Sequence, residues 1–434
     1  MAEAPAPASN GAPSLRGGLA LAAAIVAFGF IGSRFLGVIR TSAVANAFGS
    51  GPELDAYLVA FRIPDLIFQV LAGATLASAF IPVFSRVIRR DGEERAWQLA
   101  SASLNLIVLA TAALCVVAFI LAPWLVPLTA PGLELESKAV SLTRLMLLSP
   151  LIFAASGMVT GILNARQRFL LAALAPMLYN LAIIFGALVL AGPWGIEGLA
   201  AGVVAGAFLH LAVQLPGLVR ERMRYRLTLD WRNPDVREVA RLMAPRVVGL
   251  AAAQVNFIVT VYFASKIAPG AISNLTFAWS LAILPLGLFG MAISTAVFPT
   301  MADQAAGEER EAMQRTLSRS LRAIMFLSVP AALGLALLAE PIAQLVLQRG
   351  EFTSADTSAV AGALAFYCIG IVPMAGIEIH SRGFYALSDT RTPVLFAVVA
   401  MLITLVLSAL LWDRHGLEGL AFAVSAAAWV EWLG

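Results

Sequence analysis

From residue 19 onward the sequence is built of long apolar runs, rich in Leu, Ala, Val and Ile, separated by short breaks that hold most of the charge. A run of about 20 apolar residues matches a helix crossing the hydrocarbon core of a bilayer. Inside that core every backbone N–H and C=O must be satisfied within the chain, which leaves only helices and closed barrels. A barrel would show short segments of alternating polarity, and these runs do not alternate. Composition agrees: 60% of residues are hydrophobic and 13% are charged, against about 25% charged in ordinary soluble domains. The fold class is therefore all-α, a polytopic helical membrane protein.

Twelve spans are expected. The first six lie near 19–47, 54–84, 98–128, 139–163, 170–191 and 196–218, and the second six near 240–265, 270–301, 317–347, 358–385, 392–412 and 417–434. Several exceed the length a bilayer needs, so tilting or kinking is expected, with Pro64, Gly73, Pro285 and Gly290 as candidate kinks. Arginines mark one side of the membrane. Arg86, Arg89, Arg90 and Arg95 follow span two, Arg166 and Arg168 follow span four, and Arg220 to Arg237 follow span six. Arg310 and Arg315 follow span eight, and Arg391 follows span ten, whereas the intervening loops hold only Lys138, Lys266, Arg349 and Arg414. By the positive-inside rule the N-terminus and the even-numbered span ends are cytoplasmic.

The chain repeats itself. "FIPVFS" closes span two and "VFPTMA" closes span eight, with Pro82 and Pro299 217 residues apart. "GIEGLAAGVVAGAF" opens span six and "GLEGLAFAVSAAAW" opens span twelve, with Gly195 and Gly416 221 residues apart. Two motifs at nearly one offset predict two six-span lobes related by a parallel repeat, an arrangement that places transport sites between the halves. The expected organisation is a disordered tail over 1–18 (Ala-, Pro- and Ser-rich, and unlike a cleaved signal peptide), a lobe over 19–219, a basic linker over 220–239 and a second lobe over 240–434. The linker reads first as a positive-inside connector, with contact to anionic lipid heads as its functional alternative.

Nothing in the sequence points to an enzyme, a metal or a cofactor. There is no G-x-x-x-x-G-K-[ST] loop, the three histidines are scattered, and Cys115 and Cys368 sit inside apolar runs as packing residues. The net charge of +3 gives no reason to expect nucleic acid. What remains are ionisable residues within spans, each costing roughly 2.5–3.5 kcal/mol to insert at a helix centre. Arg34 and Arg40 lie in the first span, about 240° apart around the helix and about 9 Å along it. That separation predicts that they point apart, with Arg40 toward a cavity and Arg34 supporting it or packing between helices. Asp55, Arg62 and Gln69 share a face of span two at heptad spacing, with Asp65 nearby, and Asp55 is placed to pair with a span-one arginine. Glu378 and Arg382 stand at i and i+4 in span ten and, with Arg246, are candidates for further cavity charge. Each has a bland alternative, a snorkelling side chain or an ion pair between helices. Arginine's planar fork suits a phosphate, so a cavity arginine points to an anionic cargo.

Several stretches carry a family resemblance. "SRFLGVIRTSAVANAFGSGPELDAYLVAFRIPDLI" with "ASAFIPVFS", "GILNARQRFLLAALAPMLYNL", "GEFTSADTS" and "GFYALSDTRTPV" resemble the MurJ (MviN) family of lipid II flippases, in the MOP exporter superfamily with the MATE transporters. The resemblance covers roughly residues 19–434. It implies alternating access between two lobes around a cationic cavity, with an undecaprenyl-pyrophosphate-linked peptidoglycan precursor as cargo. It also implies residence in the bacterial cytoplasmic membrane, contact with membrane lipids, and cell-wall synthesis proteins as partners. The family's first-span arginines map onto Arg34 and Arg40, and its acidic residue early in span two onto Asp55. Family members usually have fourteen spans, so a final pair forming a peripheral groove for the lipid tail is expected to lie outside these residues. This chain departs from the family pattern at Thr41, at Phe68 and Gln69, and at Ser280 and Ile283, where the family carries charge. Those departures leave room for a flippase of another polyprenyl-linked glycan, a small-molecule exporter, or a non-transporting scaffold for cell-wall synthesis.

Overall fold

The computed structural model describes residues 15–72 and 74–434; the side chains of 15–23, 72–78, 244–253 and 255 lie outside the described residues, as do the expected tail and Gly73. The first half comprises α1 (Leu15–Phe48), α2 (Pro52–Ile67), α3 (Ala74–Thr129), α4 (Glu136–Met146), α5 (Leu148–Ala165), α6 (Phe169–Phe185), α7 (Ala191–Trp194), α8 (Ile196–Ala212) and α9 (Leu215–Arg220). The second comprises α10 (Pro234–Ala264), α11 (Ala271–Pro285), α12 (Ala292–Ala306), α13 (Arg310–Leu337), α14 (Ala339–Leu347), α15 (Ser354–Ala386) and α16 (Arg391–Leu433). Among the described residues there is no strand.

The boundaries follow local chemistry. Pro52 opens α2 in its first turn, where a missing N–H costs nothing. Asn233 accepts from the Asp235 N–H at the start of α10, and Thr353 and Asp356 form a reciprocal capping box at the start of α15. Three π-helical segments interrupt the ladder, at Phe68–Ala72, Gly186–Leu190 and Leu286–Met291. The first begins just after Pro64 and the third follows Pro285 directly and contains Gly290, so three of the four expected kink positions coincide with wide turns of helix.

Each of the twelve expected ranges falls on helix, while nine helical stretches among the described residues are long and apolar enough to cross a membrane. Two of these nine, Ala79–Thr129 and Arg391–Leu433, turn sharply at Gly92 and Gly416. Large apolar side chains stand exposed along them, among them Leu109, Val116, Ile120, Trp124 and Leu128 on α3. Faces of this size are unsustainable in water and mark contact with lipid.

The buried core sets the shape. One large cluster draws on both halves, with Leu54, Leu142, Met146 and Ile196 from the first and Phe277, Phe352, Leu364 and Leu420 from the second. It lies toward the end away from the arginine-rich loops. There the turns of the two halves also meet, as in the Glu351 N–H donating to the Asn46 carbonyl at 3.0 Å. Toward the basic end the core divides. Phe80, Phe84 and Trp97 gather the foot of the first half together with Val236, Val239 and Met243 of α10, while Met301, Met313 and Ile324 gather that of the second. The halves thus share one large core at the far end, while at the basic end α10 packs on α3 and α12, α13 and α15 form a separate core.

Gly195 and Gly416, the pair singled out by the repeated motif, share a backbone state, φ 55° with ψ −140° and φ 52° with ψ −133°. Residues with a Cβ are strained there by about 1–3 kcal/mol. Since an added Cβ would meet only an ordinary van der Waals neighbour, Glu197 at 3.6 Å or Ile267 at 4.0 Å, Gly195→Ala and Gly416→Ala should each lower unfolding stability in detergent by about that backbone amount. Gly334→Ala, in an open and ordinary helical position, should leave stability unchanged or slightly raised.

Candidate functional site

α1 runs unbroken through Gly37, so Arg34 and Arg40 keep the angular separation expected of them. What does not hold is the expectation that Arg40 alone faces a cavity. Both line one cavity of about 320 Å³ between α1 and α11, with Ser33, Gly37, Asn180, Trp279 and Ser280 in its walls. The reason is the bare turn between them. Nothing lies within 4 Å of where a Gly37 Cβ would stand. The cavity curls around that turn, and long arginine stems carry two guanidinium groups into it from different sides.

Arg34 also borders a second chamber of about 560 Å³ toward the basic end, with Val26, Phe30, Thr160, Asn164 and Pro176. Its Cζ lies 5.3 Å from the centre of the Phe30 ring. On its other side is Gly287, where an added Cβ would come 3.7 Å from that Cζ. The guanidinium therefore lies close to the π-helical segment of the second half, at a distance where a Cβ would make ordinary contact. Arg34 thus stands where the two chambers join. Among the described residues, no carboxylate lies within 4.0 Å of either arginine. Arg40 feels Asp65 of α2 at longer range, and two guanidinium groups without a paired carboxylate in a membrane-embedded cavity call for water and an anion. Ser33 and Asn180 support the wall, Asn180 donating to the Ser33 carbonyl at 3.3 Å.

Span two behaves differently from the sequence expectation. Asp55 is 3% exposed and pairs with no arginine of α1. Its carboxylate accepts the Gly270 N–H at 2.7 Å and the Ser273 N–H at 2.8 Å. It caps the N-terminus of α11, where orphan N–H groups and the positive end of the helix dipole attract a carboxylate more than a distant cation does. Arg62 sits 5.0 Å over the Phe257 ring and lines a third cavity, about 410 Å³, within the second half. Gln69 donates to Asp65 at 2.6 Å and accepts from Gln254 of α10. The heptad face of α2 therefore meets the second half along its whole length, and Asp55 and Arg62 do not share the cavity of Arg34 and Arg40.

Glu378 and Arg382 form the pair their spacing suggests, at 3.5 Å, and Arg382 also donates to Ser294 at 2.8 Å. Glu378 faces the Arg62 cavity. The side chain of Arg246 lies outside the described residues. Two features escaped the sequence reading. Glu431 brings a second carboxylate to the Arg62 cavity; its signal was a lone acid within "WVEWLG", at the last turn of the final apolar run. Asn180 and Trp279 line the arginine cavity, and no sequence spacing marks them. Among the described residues no group of three His, Cys, Asp or Glu could hold a metal ion.

Long apolar helices with charged cavities between and within the two halves define the fold of a multi-pass transporter, shared with solved members of the MOP superfamily. The solved inward-facing structure of a MATE multidrug resistance transporter of that superfamily matches with a TM-score of 0.76, covering 92% of this chain and 93% of that one at 16% identity, a likeness of fold alone. The solved structure of lipid II flippase MurJ in an inward closed conformation matches with a TM-score of 0.82 at 26% identity, covering 94% of this chain and 86% of that one. The family model described as lipid II flippase MurJ matches residues 44–433. Lipid II flippase MurJ of Burkholderia cenocepacia is 31% identical over 406 residues, 91% of this chain and 79% of that protein. A probable lipid II flippase MurJ of Bdellovibrio bacteriovorus is 31% identical over 415 residues, 94% and 79% of the two chains. This chain belongs to the MurJ family of lipid II flippases.

Hydrogen bonds to a charged group are worth about 1.5–3 kcal/mol, and orphaning buried N–H groups adds to the loss. Asp55→Ala should therefore cost about 3 kcal/mol of stability, and Asp55→Asn less. A cysteine placed at Ser50, beside the joint, should be labelled several-fold faster by a membrane-impermeant thiol reagent in the Asp55→Ala background. Unchanged labelling would mean that the cap does not hold the halves together.

Proposed function

We propose that the chain moves lipid II, a lipid-linked peptidoglycan precursor, from the cytoplasmic to the outer leaflet of the bacterial cytoplasmic membrane. The observation that carries this reading is the cavity between α1 and α11 with Arg34 and Arg40 on its walls and, among the described residues, no carboxylate within 4.0 Å of either. A pyrophosphate supplies the missing negative charge, and each arginine can grip it through two N–H donors. The polyprenyl tail stays in lipid alongside α1. The cargo's covalent bonds are unchanged, so the work is to carry a charged headgroup past hydrocarbon.

In this reading the halves over 19–219 and 240–434 are the moving units of an alternating-access cycle, with twelve spans and the N-terminus in the cytoplasm. The shared core at the far end and the chamber that Arg34 borders toward the basic end fit access from the cytoplasm. Arg34, at the join of two chambers, would meet the headgroup first, and Arg40, deeper, would hold it as the halves rearrange.

Flipping by the reconstituted protein should fall about tenfold or more in Arg40→Ala, the loss of about 1.5–3 kcal/mol expected for a charge-assisted hydrogen bond. Arg34→Ala should fall similarly, and lysine at either position should restore only part of the rate, since it offers a point charge without the fork. The gene should rescue a strain depleted of its own lipid II flippase. Failure to rescue despite normal membrane insertion would exclude lipid II as cargo. A cysteine placed within 86–95 should be shielded from impermeant reagents added outside the cell; labelling there would reverse the orientation.

A further inference from the structure

The segment between α9 and α10 is more than a connector. Residues 223–230 carry no helix, yet they are fixed to α3. Asn105 donates to the carbonyls of Arg226 at 3.2 Å and Thr228 at 2.9 Å, and accepts from the Tyr225 hydroxyl at 2.7 Å. The Arg226 N–H donates to Ser101 at 3.1 Å. Carbonyls two residues apart that turn to one donor belong to an extended segment, in which successive side chains face opposite ways. The sequence "RYRLTLDWR" follows that period, with Tyr225, Leu227, Leu229 and Trp231 alternating with Arg224, Arg226, Thr228, Asp230 and Arg232.

The apolar set is not packed away. All four of its members are exposed, Leu227 to 87%. Asn105, which holds the segment, lies one helical turn from Leu109 on the same face of α3. Leu109 is 54% exposed and begins the apolar face that runs on through Val116, Ile120 and Trp124. Leu227 is thus moored about 6 Å from the level where the lipid-facing surface starts. Leu215 and Val219, exposed on α9, extend the same apolar margin. Charge points to the same neighbour. Between 220 and 232 five arginines face only Glu221 and Asp230. Arg226 is paired with Glu94 at 2.7 Å, whereas Arg220, Arg222, Arg224 and Arg232 have no carboxylate within 4.0 Å among the described residues. Trp231 lies under two guanidinium groups, with Arg232 and Arg237 5.2 and 5.4 Å from its ring.

We infer that residues 222–232 form a membrane-surface strap, with Leu227, Leu229 and Trp231 in the headgroup–acyl boundary and Arg222, Arg224 and Arg232 on anionic phospholipid headgroups of the adjoining leaflet. Tyrosine and tryptophan favour that boundary, and each basic residue near an anionic surface adds attraction. Because Asn105 pins the strap to α3 while α10 begins immediately after it, the strap fixes the depth of the first half's foot at the place where the two halves are joined in sequence. The inference concerns this surface alone and does not depend on the cargo or on which side of the membrane the strap faces.

The test uses the full chain with Cys115 and Cys368 replaced by alanine and an environment-sensitive fluorophore on a cysteine at Leu227 or, separately, at Arg224. It is reconstituted in phosphatidylcholine vesicles with and without phosphatidylglycerol. The probe at 227 should emit to the blue and be quenched by lipids spin-labelled near the headgroup, more strongly with phosphatidylglycerol. The probe at 224 should stay accessible to aqueous iodide. Replacing Arg222, Arg224 and Arg232 with glutamine should abolish the phosphatidylglycerol dependence at 227. Three results would overturn the inference: water-like emission at 227 in both vesicles, equal insertion with and without phosphatidylglycerol, or shielding already complete in detergent, which would mean packing against protein.

Discussion

The arrangement depends on a carboxylate holding a helix end across the two halves. Asp55 leaves the first half and receives two backbone N–H groups from the start of α11 in the second. Buried there, it replaces two water contacts with two charge-assisted bonds and lies at the positive end of a helix dipole. Around it the largest buried cluster mixes side chains from both halves. At the other end α10 packs on α3, with Arg86 paired to Glu238 and Arg90 to Asp235, while the core around Met301 and Met313 stands apart. The molecule is fastened by this cap at one end and by α10 on α3 at the other. The cap is a bond that has to break if that end is ever to open, and a few hydrogen bonds of a few kcal/mol suit a joint that must be both firm and reversible.

The arginines make sense only with that joint in place. In lipid, Arg34 and Arg40 would cost several kcal/mol. Between the halves they border two chambers of about 320 and 560 Å³ that share Ser33 and Arg34 in their walls. Gly37 makes room for them by leaving a bare turn of α1, and the Arg34 guanidinium lies close to Gly287 of the second half. The π-helical segment that carries Gly287 widens the helix at the point where charge and cavity meet. Such segments are frequent at functional positions because they re-aim a turn without ending a helix.

Much of this was legible in the sequence, and the rest was hidden for specific reasons. Apolar run length located the helices because the bilayer fixes both length and polarity, and the MurJ signature named the family from local motifs. Positions of special backbone showed through as well, Gly195 and Gly416 by their repeated motif and Pro64 and Pro285 as the approach to widened turns. The site was harder. Helical-wheel geometry says where a Cβ points, not where a guanidinium three or four bonds further out arrives, so Arg40 alone was expected to face a cavity that both arginines line. Asp55 was read as a partner for arginine because charge was the only signal available, and the helix terminus that it caps is 215 residues away in the chain. Asn180 and Trp279 reach the site through tertiary packing alone.

The neutral positions around the arginine cavity then acquire a meaning that the sequence alone obscured. Ser280 and Ile283, where the family pattern suggests charge, line the wall opposite Arg34 and Arg40. A carboxylate there would partly neutralise the arginines and would have to be displaced by each incoming anion. An additional arginine would strengthen capture and slow release. With neither present, Arg34 and Arg40 are the charged residues in the lining of this cavity. The charge that the second half does carry is kept apart: Glu378 and Glu431 share their own cavity with Arg62, which α2 contributes from the first half. Because Asp55 and Arg62 lie on one face of α2, a shift of that helix would disturb the joint and the second cavity together. That linkage gives the cavity of Glu378, Glu431 and Arg62 a physical route to the opening of the arginine site.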